Sequence, residues 1–483
     1  MRSRYSPSLS LHLPHKRLRK SQPLTLTYTT HERWPTFAMS VVYSIPPELI
    51  CEIFLLALEY TDTGFPLAID VCALERRALW RLGHICQQWR VLALGYSPLW
   101  TSITLYTSRK LRMDKACPPA MVRTHLHRSG DGPLDVTFVW QGGYIDDPAS
   151  SQSLELLLSQ SNRWQSARLH LSSTLPDPIL DRFRVLKGQI PHLRILEVTS
   201  GINRHSYPLA EGDAFAFSVA PQLHTLILSD EGRRHYSLVP NPQFPWSQLT
   251  YLRGSYPNQE QGLEILTAAR NVVECGMTVG MVAPQYADTP HLVLHQLRRL
   301  SLEAPASFLK YLTVPAVQEL WISGGMLGSL LDCLQRSSCT VVKLVVYDCF
   351  SAAPLIPILT AMPTLATLFV AFMSSASVHV INILVDALKM TGSSDICPYL
   401  SYVALALHSS CLGAFLDMAE SRCFGDSQHF LSRVYVYTFQ LSKSDHRLDD
   451  LRVNKLKEAG VDAQLHIGDL GRSVRQYWDF GRP

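Results

Sequence analysis

The chain has 483 residues, 47% of them hydrophobic and 17% charged, with a formal net charge of +4. That balance excludes an intrinsically disordered protein, and the length allows two or three folded domains with large cores. Most of the excess charge sits in the first forty residues, so the near-neutral remainder shows neither a nucleic-acid footprint nor a polybasic membrane face, and no nucleic acid or membrane is expected as a partner.

Residues 1–38 carry seven Lys/Arg against one acidic residue, Glu32, among many Ser, Thr and Pro. No uninterrupted apolar segment suits a secretory signal, and a disordered basic tail is expected over residues 1–40. Its run His15-Lys16-Arg17-Leu18-Arg19-Lys20 could serve nuclear import, its acid-poor composition could imitate a transit peptide, and Met39 could be the natural start. The eleven cysteines contain no CxxC and are odd in number, so reduced and mostly buried thiols are expected, as in a cytoplasmic and/or nuclear protein.

Ser44 can cap a helix that tolerates Pro46 and Pro47 in its first turn and places Glu48 near the positive end of the dipole. Leu49, Ile50, Ile53, Phe54, Ala57 and Leu58 share one broad apolar face. A helix of about four turns cannot bury that face alone and needs other helices or a partner. After the polar stretch at Thr61–Gly64, a second helical run is predicted over residues 74–93, with Leu82, Ile85, Cys86, Trp89, Leu92 and Ala93 in one stripe. Ser97-Pro98-Leu99-Trp100 then leads into an alternating strand at Ile103 and Leu105.

These residues resemble the F-box family. The resemblance rests on Ile45-Pro46-Pro47-Glu48-Leu49-Ile50 with Ile53-Phe54, then Ile85-Cys86-x-x-Trp89-Arg90-x-Leu92-Ala93, then Pro98-Leu99-Trp100. Residues 60–78 make a longer connection than a minimal F-box. The resemblance implies an F-box-like domain over residues 41–105 that docks on the adaptor Skp1, and through it on a cullin–RING ubiquitin ligase. The matching docking residues are Pro46, Leu49, Ile50, Ile53, Phe54, Cys86, Trp89 and Trp100. The alternative is that they only pack onto the domain that follows.

From about residue 163 a phrase with apolar residues at its first, fourth and sixth places recurs. Leu193/Leu196/Val198, Leu223/Leu226/Leu228, Leu297/Leu300/Leu302, Val317/Leu320/Ile322 and Leu365/Leu368/Val370 are among its copies. Weaker copies are RWQSARLHL, NVVECGM and LSRVYVY. Helix-like stretches at Glu260–Arg270, Met326–Arg336, Val378–Lys389 and Leu412–Arg422 lie between them. This alternation resembles a degenerate leucine-rich-repeat solenoid over residues 163–470, with residues 106–162 as a linking or capping region and 471–483 as a tail. The expected fold class is therefore α/β: a small helical F-box-like module, then an irregular solenoid of parallel strands with outer helices. An ordinary α/β domain is the alternative.

Between the core positions, side chains of a strand point the other way, into the solenoid's hollow. That register exposes Arg253, Arg299, Trp321, Tyr347, Phe369, Tyr402, Arg433 and Tyr435 as candidate target contacts, together with Glu319, Lys343 and Tyr437. Aromatics with arginine suit binding hot spots. The competing expectation is that the C-terminal segment or a loop covers them. Asp449–Gly460 and Val461–Ile467 read as a last helix and strand.

No charged residue lies between Asp348 and Asp386, but Pro354, Pro357, Pro363 and the step Ser374–Ser377 break the interval, so a buried strand and helix are expected in place of a spanning helix. The chain has no Walker-type loop, no GxSxG and no carboxylate pair at local catalytic spacing. His291 and His295 lack the glutamate of a zinc-protease helix, and His125 and His127 are no better placed. No metal, cofactor or catalytic residue is expected. The expected function is the substrate-recognition adaptor of an SCF-type E3 ligase, binding Skp1 and an unknown protein target. Alternatives are an F-box/repeat scaffold outside ubiquitination, or an enzyme assembled from distant residues.

Overall fold

The computed structural model describes residues 45–59, 81–108, 119–141, 148–171, 181–200, 216–230, 244–282, 291–373, 375–390, 396–424, 431–438 and 447–467. The expectations for residues 1–40, Ser44, the connection 60–78 and the tail 471–483 lie outside the described residues. The chain divides into two compact units, residues 1–53 and 54–483. In the first, the described residues hold the opening turns of helix α1 (Pro47–Glu59), which runs on into the second.

The second unit continues with α2 (Gln87–Gly95), β1 (Ser102–Ser108), α3 (Pro119–Arg128), β2 (Leu134–Gln141), α4 (Pro148–Leu158), β3 (Trp164–Leu171), β4 (Ile195–Ser200), β5 (Thr225–Asp230), β6 (Tyr251–Asn258), α5 (Gln259–Ala268), β7 (Glu274–Val282), β8 (Leu292–Val293) and β9 (Arg299–Glu303). Then follow β10 (Leu312–Thr313), β11 (Glu319–Ser323), α6 (Leu327–Ser337), β12 (Lys343–Cys349), α7 (Leu355–Thr360), β13 (Thr367–Phe372), α8 (Val378–Ala387), β14 (Tyr402–Leu407), α9 (Leu412–Cys423), β15 (Arg433–Thr438), α10 (Arg447–Glu458) and β16 (Asp462–Ile467).

Fourteen strands form one sheet in chain order, β1 to β7, then β9, then β11 to β16, while β8 and β10 pair separately. Neighbours run parallel, so each strand is reached by a crossover that lays it beside its predecessor. The protein is thus α/β with a large, repeat-like parallel sheet. The recurring phrase explains the regularity. Its first residue is buried in the turn before the strand, as Leu193 and Leu223 are, and its fourth residues stack in one column: Leu196 on Leu226, Leu226 on Leu252, and further along Leu300, Leu320, Leu344, Leu368, Val403 and Val434. This column and the sixth-place residues meet the helices, whose Leu263, Leu330, Leu384, Phe415 and Leu456 belong to the same continuous core.

Helices α5, α6, α8 and α9 form within a few residues of the predicted stretches. The charge-free interval folds as β13 and then α8, and among the described residues no helix is long and apolar enough to cross a membrane.

Three expectations need correction. First, the sheet begins at Ser102, well before residue 163, and takes in β2, which falls in the expected linking region. Trp100-x-x-Ile103-x-Leu105 is itself a copy of the phrase, disguised by tryptophan in the leucine place, and Ile103 stacks on Val136, which stacks on Ala167. Second, the helical run ends before Gly83: residues 83–85 form a turn, and α2 starts afresh behind Cys86, whose extended backbone and Sγ cap the new helix. Glycine is a poor helix residue, and the Cys86 Sγ accepts the Trp89 amide at 3.4 Å. Third, Trp321, Tyr347, Phe369, Tyr435 and Tyr437 are buried, not open to solvent.

Candidate protein-interaction surfaces

Helix α1 is apolar on more than one side. Ile50, Cys51 and Phe54 are buried, whereas Leu49, Ile53 and Leu56 are 55%, 46% and 61% exposed. The exposed three follow one another at steps of four and three residues, so they line one stripe of the helix. Pro46 and Glu48 are also exposed, and the Ile50 amide closes the first turn on the Pro46 carbonyl at 3.2 Å.

In the second unit, Phe54 meets Trp89 of α2 edge to face, with ring centroids 4.9 Å apart. Trp89 and the capping Cys86 are half-buried, while Ile85 and Val91 are exposed. Trp100 is buried, donates its Nε1–H to the Ala93 carbonyl at 2.8 Å, and lies beneath the Arg128 guanidinium at 4.4 Å. The eight residues assigned to docking by resemblance therefore separate. Pro46, Leu49 and Ile53 face solvent, Cys86 and Trp89 are partly covered, and Ile50, Phe54 and Trp100 are packing residues in this conformation. Leu56, Ile85 and Val91 are exposed apolar residues outside that set. Only the α1 stripe could have been read from helical spacing, as the second side of a helix apolar nearly all round.

Away from the helices, the far face of the sheet has two parts. On β3 to β9 burial largely alternates, and the row at one level runs Arg168, Glu197, Ile227, Arg253, Gly276, Ser301. Arg253 is exposed there. Arg299 is engaged: its guanidinium bridges Glu274 at 3.0 Å and Glu319 at 3.2 Å, and Glu319 also pairs with Lys343 at 3.6 Å. All four are partly exposed, so the ladder is a weak contributor to stability but leaves the Arg299 charge neutralised.

The same level then runs into Trp321, Val345, Phe369, Ala404 and Tyr435, which together with Ala371, Ala406, Tyr437 and, from β6, Tyr251 form a second apolar cluster. Lys343 Nζ lies 4.5 Å from the Trp321 ring, Tyr402 meets Tyr435 edge to face at 5.4 Å, and the Tyr347 hydroxyl donates to the Leu302 carbonyl at 3.3 Å. Burial, and next to it Glu303 and Asp348, raises the Tyr347 phenol above its ordinary range. Of the residues expected to line the hollow, Arg253 and Arg433 are exposed and Tyr402 is half-buried. A sequence signal for the change is present: LWI within ELWIS, LVVY after Lys343, LFVAF after Thr367 and YVALAL are unbroken apolar runs, the mark of strands buried on both faces.

Four of the buried thiols are chemically quiet. Burial pushes Cys275 up to about 12 and Cys349, Cys397 and Cys423 up to about 11, which keeps them protonated and poor nucleophiles at neutral pH. Among the described residues no group of three or more His, Cys, Asp or Glu could hold a metal ion, and His291 and His295 are exposed. Neither a scan against models of known protein families nor a search of curated proteins finds a match for this chain.

Proposed function

We propose that this protein is the substrate-recognition adaptor of an SCF-type (Skp1–cullin–F-box) E3 ubiquitin ligase. Its N-terminal helical segment docks on Skp1, and its sheet domain, a degenerate leucine-rich-repeat solenoid, holds a protein target. The protein makes no covalent bond itself and acts by bringing a target lysine to a ubiquitin-charged enzyme. Beside the F-box resemblance of residues 45–100, the observation that carries the reading is the exposed apolar stripe Leu49, Ile53, Leu56 on α1. Covering each such side chain is worth about 1.5–3 kcal/mol, and an amphipathic helix with an open stripe suits helix-in-groove association. On the target side, the exposed Arg253 and Arg433 are the best-placed contacts of the expected set.

The test is co-expression of the full chain with Skp1, comparing it with Leu49→Asp and Ile53→Asp. Co-purification that both variants abolish, with unchanged thermal unfolding, supports the reading. Absence of Skp1 from the unmodified complex, or its retention by both variants, overturns it. Cullin recruitment and ubiquitination of a captured target then distinguish a ligase adaptor from an F-box/repeat scaffold acting outside ubiquitination.

A further inference from the structure

Each strand of the sheet is entered through a turn, and the residue just before the strand takes part in a ladder of its own. The His224 amide donates to the Arg194 carbonyl at 3.1 Å, Thr250 to His224 at 2.9 Å, Val273 to Thr250 at 2.8 Å and Arg298 to Val273 at 2.8 Å. These five residues are therefore neighbours along one rim, at the starts of β4, β5, β6, β7 and β9. The charge there is one-sided. The described turn residues 185–194, 216–224, 244–250, 269–273 and 291–298 hold Lys187, Arg194, Arg270, Arg298 and four histidines, and no Asp or Glu. All eight side chains are exposed, and none forms an ion pair with a described residue. On the sheet itself, by contrast, Arg168 meets Glu197 at 3.7 Å and Arg299 is held between two glutamates. Partial burial, and next to it the Arg194 guanidinium, holds the His224 imidazole below its ordinary value, so like charges already act on one another along the rim.

We propose that the rim of β4–β9 is a docking surface for an extended acidic segment of a partner protein, in which Asp and Glu are interspersed with small apolar side chains. Charge complementarity carries the assignment: a row of exposed cations without counter-charges attracts an anionic partner and repels a basic one. The span suits a short peptide. From Arg194 to Arg298 there are four strand spacings, ~19 Å, which about six extended residues cover. The same turns expose Val185, Val219 and Val293, which give apolar side chains a place to rest between the charges. Nucleic acid fits less well, because Phe217, Phe244 and Trp246, the aromatic residues of these turns, are buried and offer no platform for stacked bases. An anionic membrane fits less well too, since the turns expose no Trp, Phe or Leu to insert. The inference does not depend on the ligase reading: the acidic segment is tested without Skp1, and either reading can fail alone.

Fluorescence anisotropy with the full chain tests this. The probes are a labelled peptide repeating Glu-Asp-Val, its neutral Gln-Asn-Val counterpart, an oligothymidylate of equal length, and phosphatidylserine vesicles. Expected is binding of the acidic peptide that weakens as salt is raised, with no binding of the neutral one. The double variant Arg194→Glu, Arg298→Glu should bind about tenfold more weakly at unchanged thermal unfolding. Lys455→Glu with Lys457→Glu, on the exposed side of α10, alters the net charge equally and should leave binding as it was. If the rim variant fails to fold, Arg194→Gln with Arg298→Gln decides in its place. No binding of the acidic peptide at millimolar concentration overturns the proposal, as does equal weakening by the α10 variant. Tighter binding of the oligothymidylate or the vesicles overturns it as well and gives the rim to nucleic acid or to a membrane surface.

Discussion

Phe54 and Trp89 meet edge to face at 4.9 Å, and this contact ties the second half of α1 to α2. Phe54 is fully buried, so it serves the fold first. Phe54→Ala is expected to lower stability by about 3–5 kcal/mol through lost burial and the cavity left behind. Leu49→Asp, on the exposed stripe, should change it by no more than about 0.5 kcal/mol. Urea unfolding of the two variants measures the difference, and equal effects would mean that the buried and open sides of α1 are not distinct.

Arg422 is 2% exposed and acts as a staple. Its guanidinium donates to the carbonyls of Leu388 at 2.6 Å, Ile396 at 2.6 Å and Cys397 at 3.0 Å, joining the end of α8 to the approach of β14. Arg422→Met preserves much of the volume but strips those carbonyls of their donors, and is expected to cost about 2–4 kcal/mol. Arg422→Lys should recover only part of it, since an ammonium cannot reproduce the planar fork. Denaturant midpoints of the two variants check the order.

Two glycines should respond with opposite signs. A Cβ on Gly324 would sit 2.5 Å from the Asp348 carbonyl oxygen and 2.6 Å from the Cys349 Cα, both backbone atoms of the next repeat. Gly324→Ala is therefore expected to destabilise by about 1–3 kcal/mol. Gly328, within α6, has open space at its Cβ position, and Gly328→Ala should stabilise by about 0.5–1 kcal/mol through helix propensity and a less disordered unfolded chain. Thermal unfolding of both variants should show one midpoint falling and the other rising.

The Tyr435 hydroxyl donates to Asp462 at 2.5 Å, and this bond, with the Gln464 amide second, holds the Asp462 carboxyl below the usual carboxylate range. Because the folded value lies below the unfolded one, about 3.9, the ionised native form is favoured. Its contribution is present above about pH 4 and fades as the pH falls through the folded value. Tyr435→Phe should move the Asp462 titration upward, toward the unfolded value, in a carboxyl-carbon NMR titration. An unmoved titration would show that the phenol is not the cause.

The strand–helix alternation was legible because one physical rule repeats. A leucine in the turn and two on the strand fill the same space in each copy, so Leu196, Leu226 and Leu252 announce themselves without knowledge of any neighbour. The first copy is hidden because Trp100 occupies the leucine place, and the same residue matches a docking position of the F-box resemblance. Local pattern does not distinguish a tryptophan that fills a turn from one that waits for a partner.

By itself the sequence determined the strand–helix alternation from about residue 163 onward and the helix-side core of those repeats, since these follow from periodicity within about ten residues. Only the tertiary structure decided which apolar side chains remain open. Leu49 and Ile50 are adjacent and equally hydrophobic, yet one is 55% exposed and the other is sealed. Phe369 and Tyr435 occupy positions that would face solvent in a one-sided sheet, yet both are buried. Exposure depends on what lies across the gap from a residue, and such neighbours come from parts of the chain that no local period can connect.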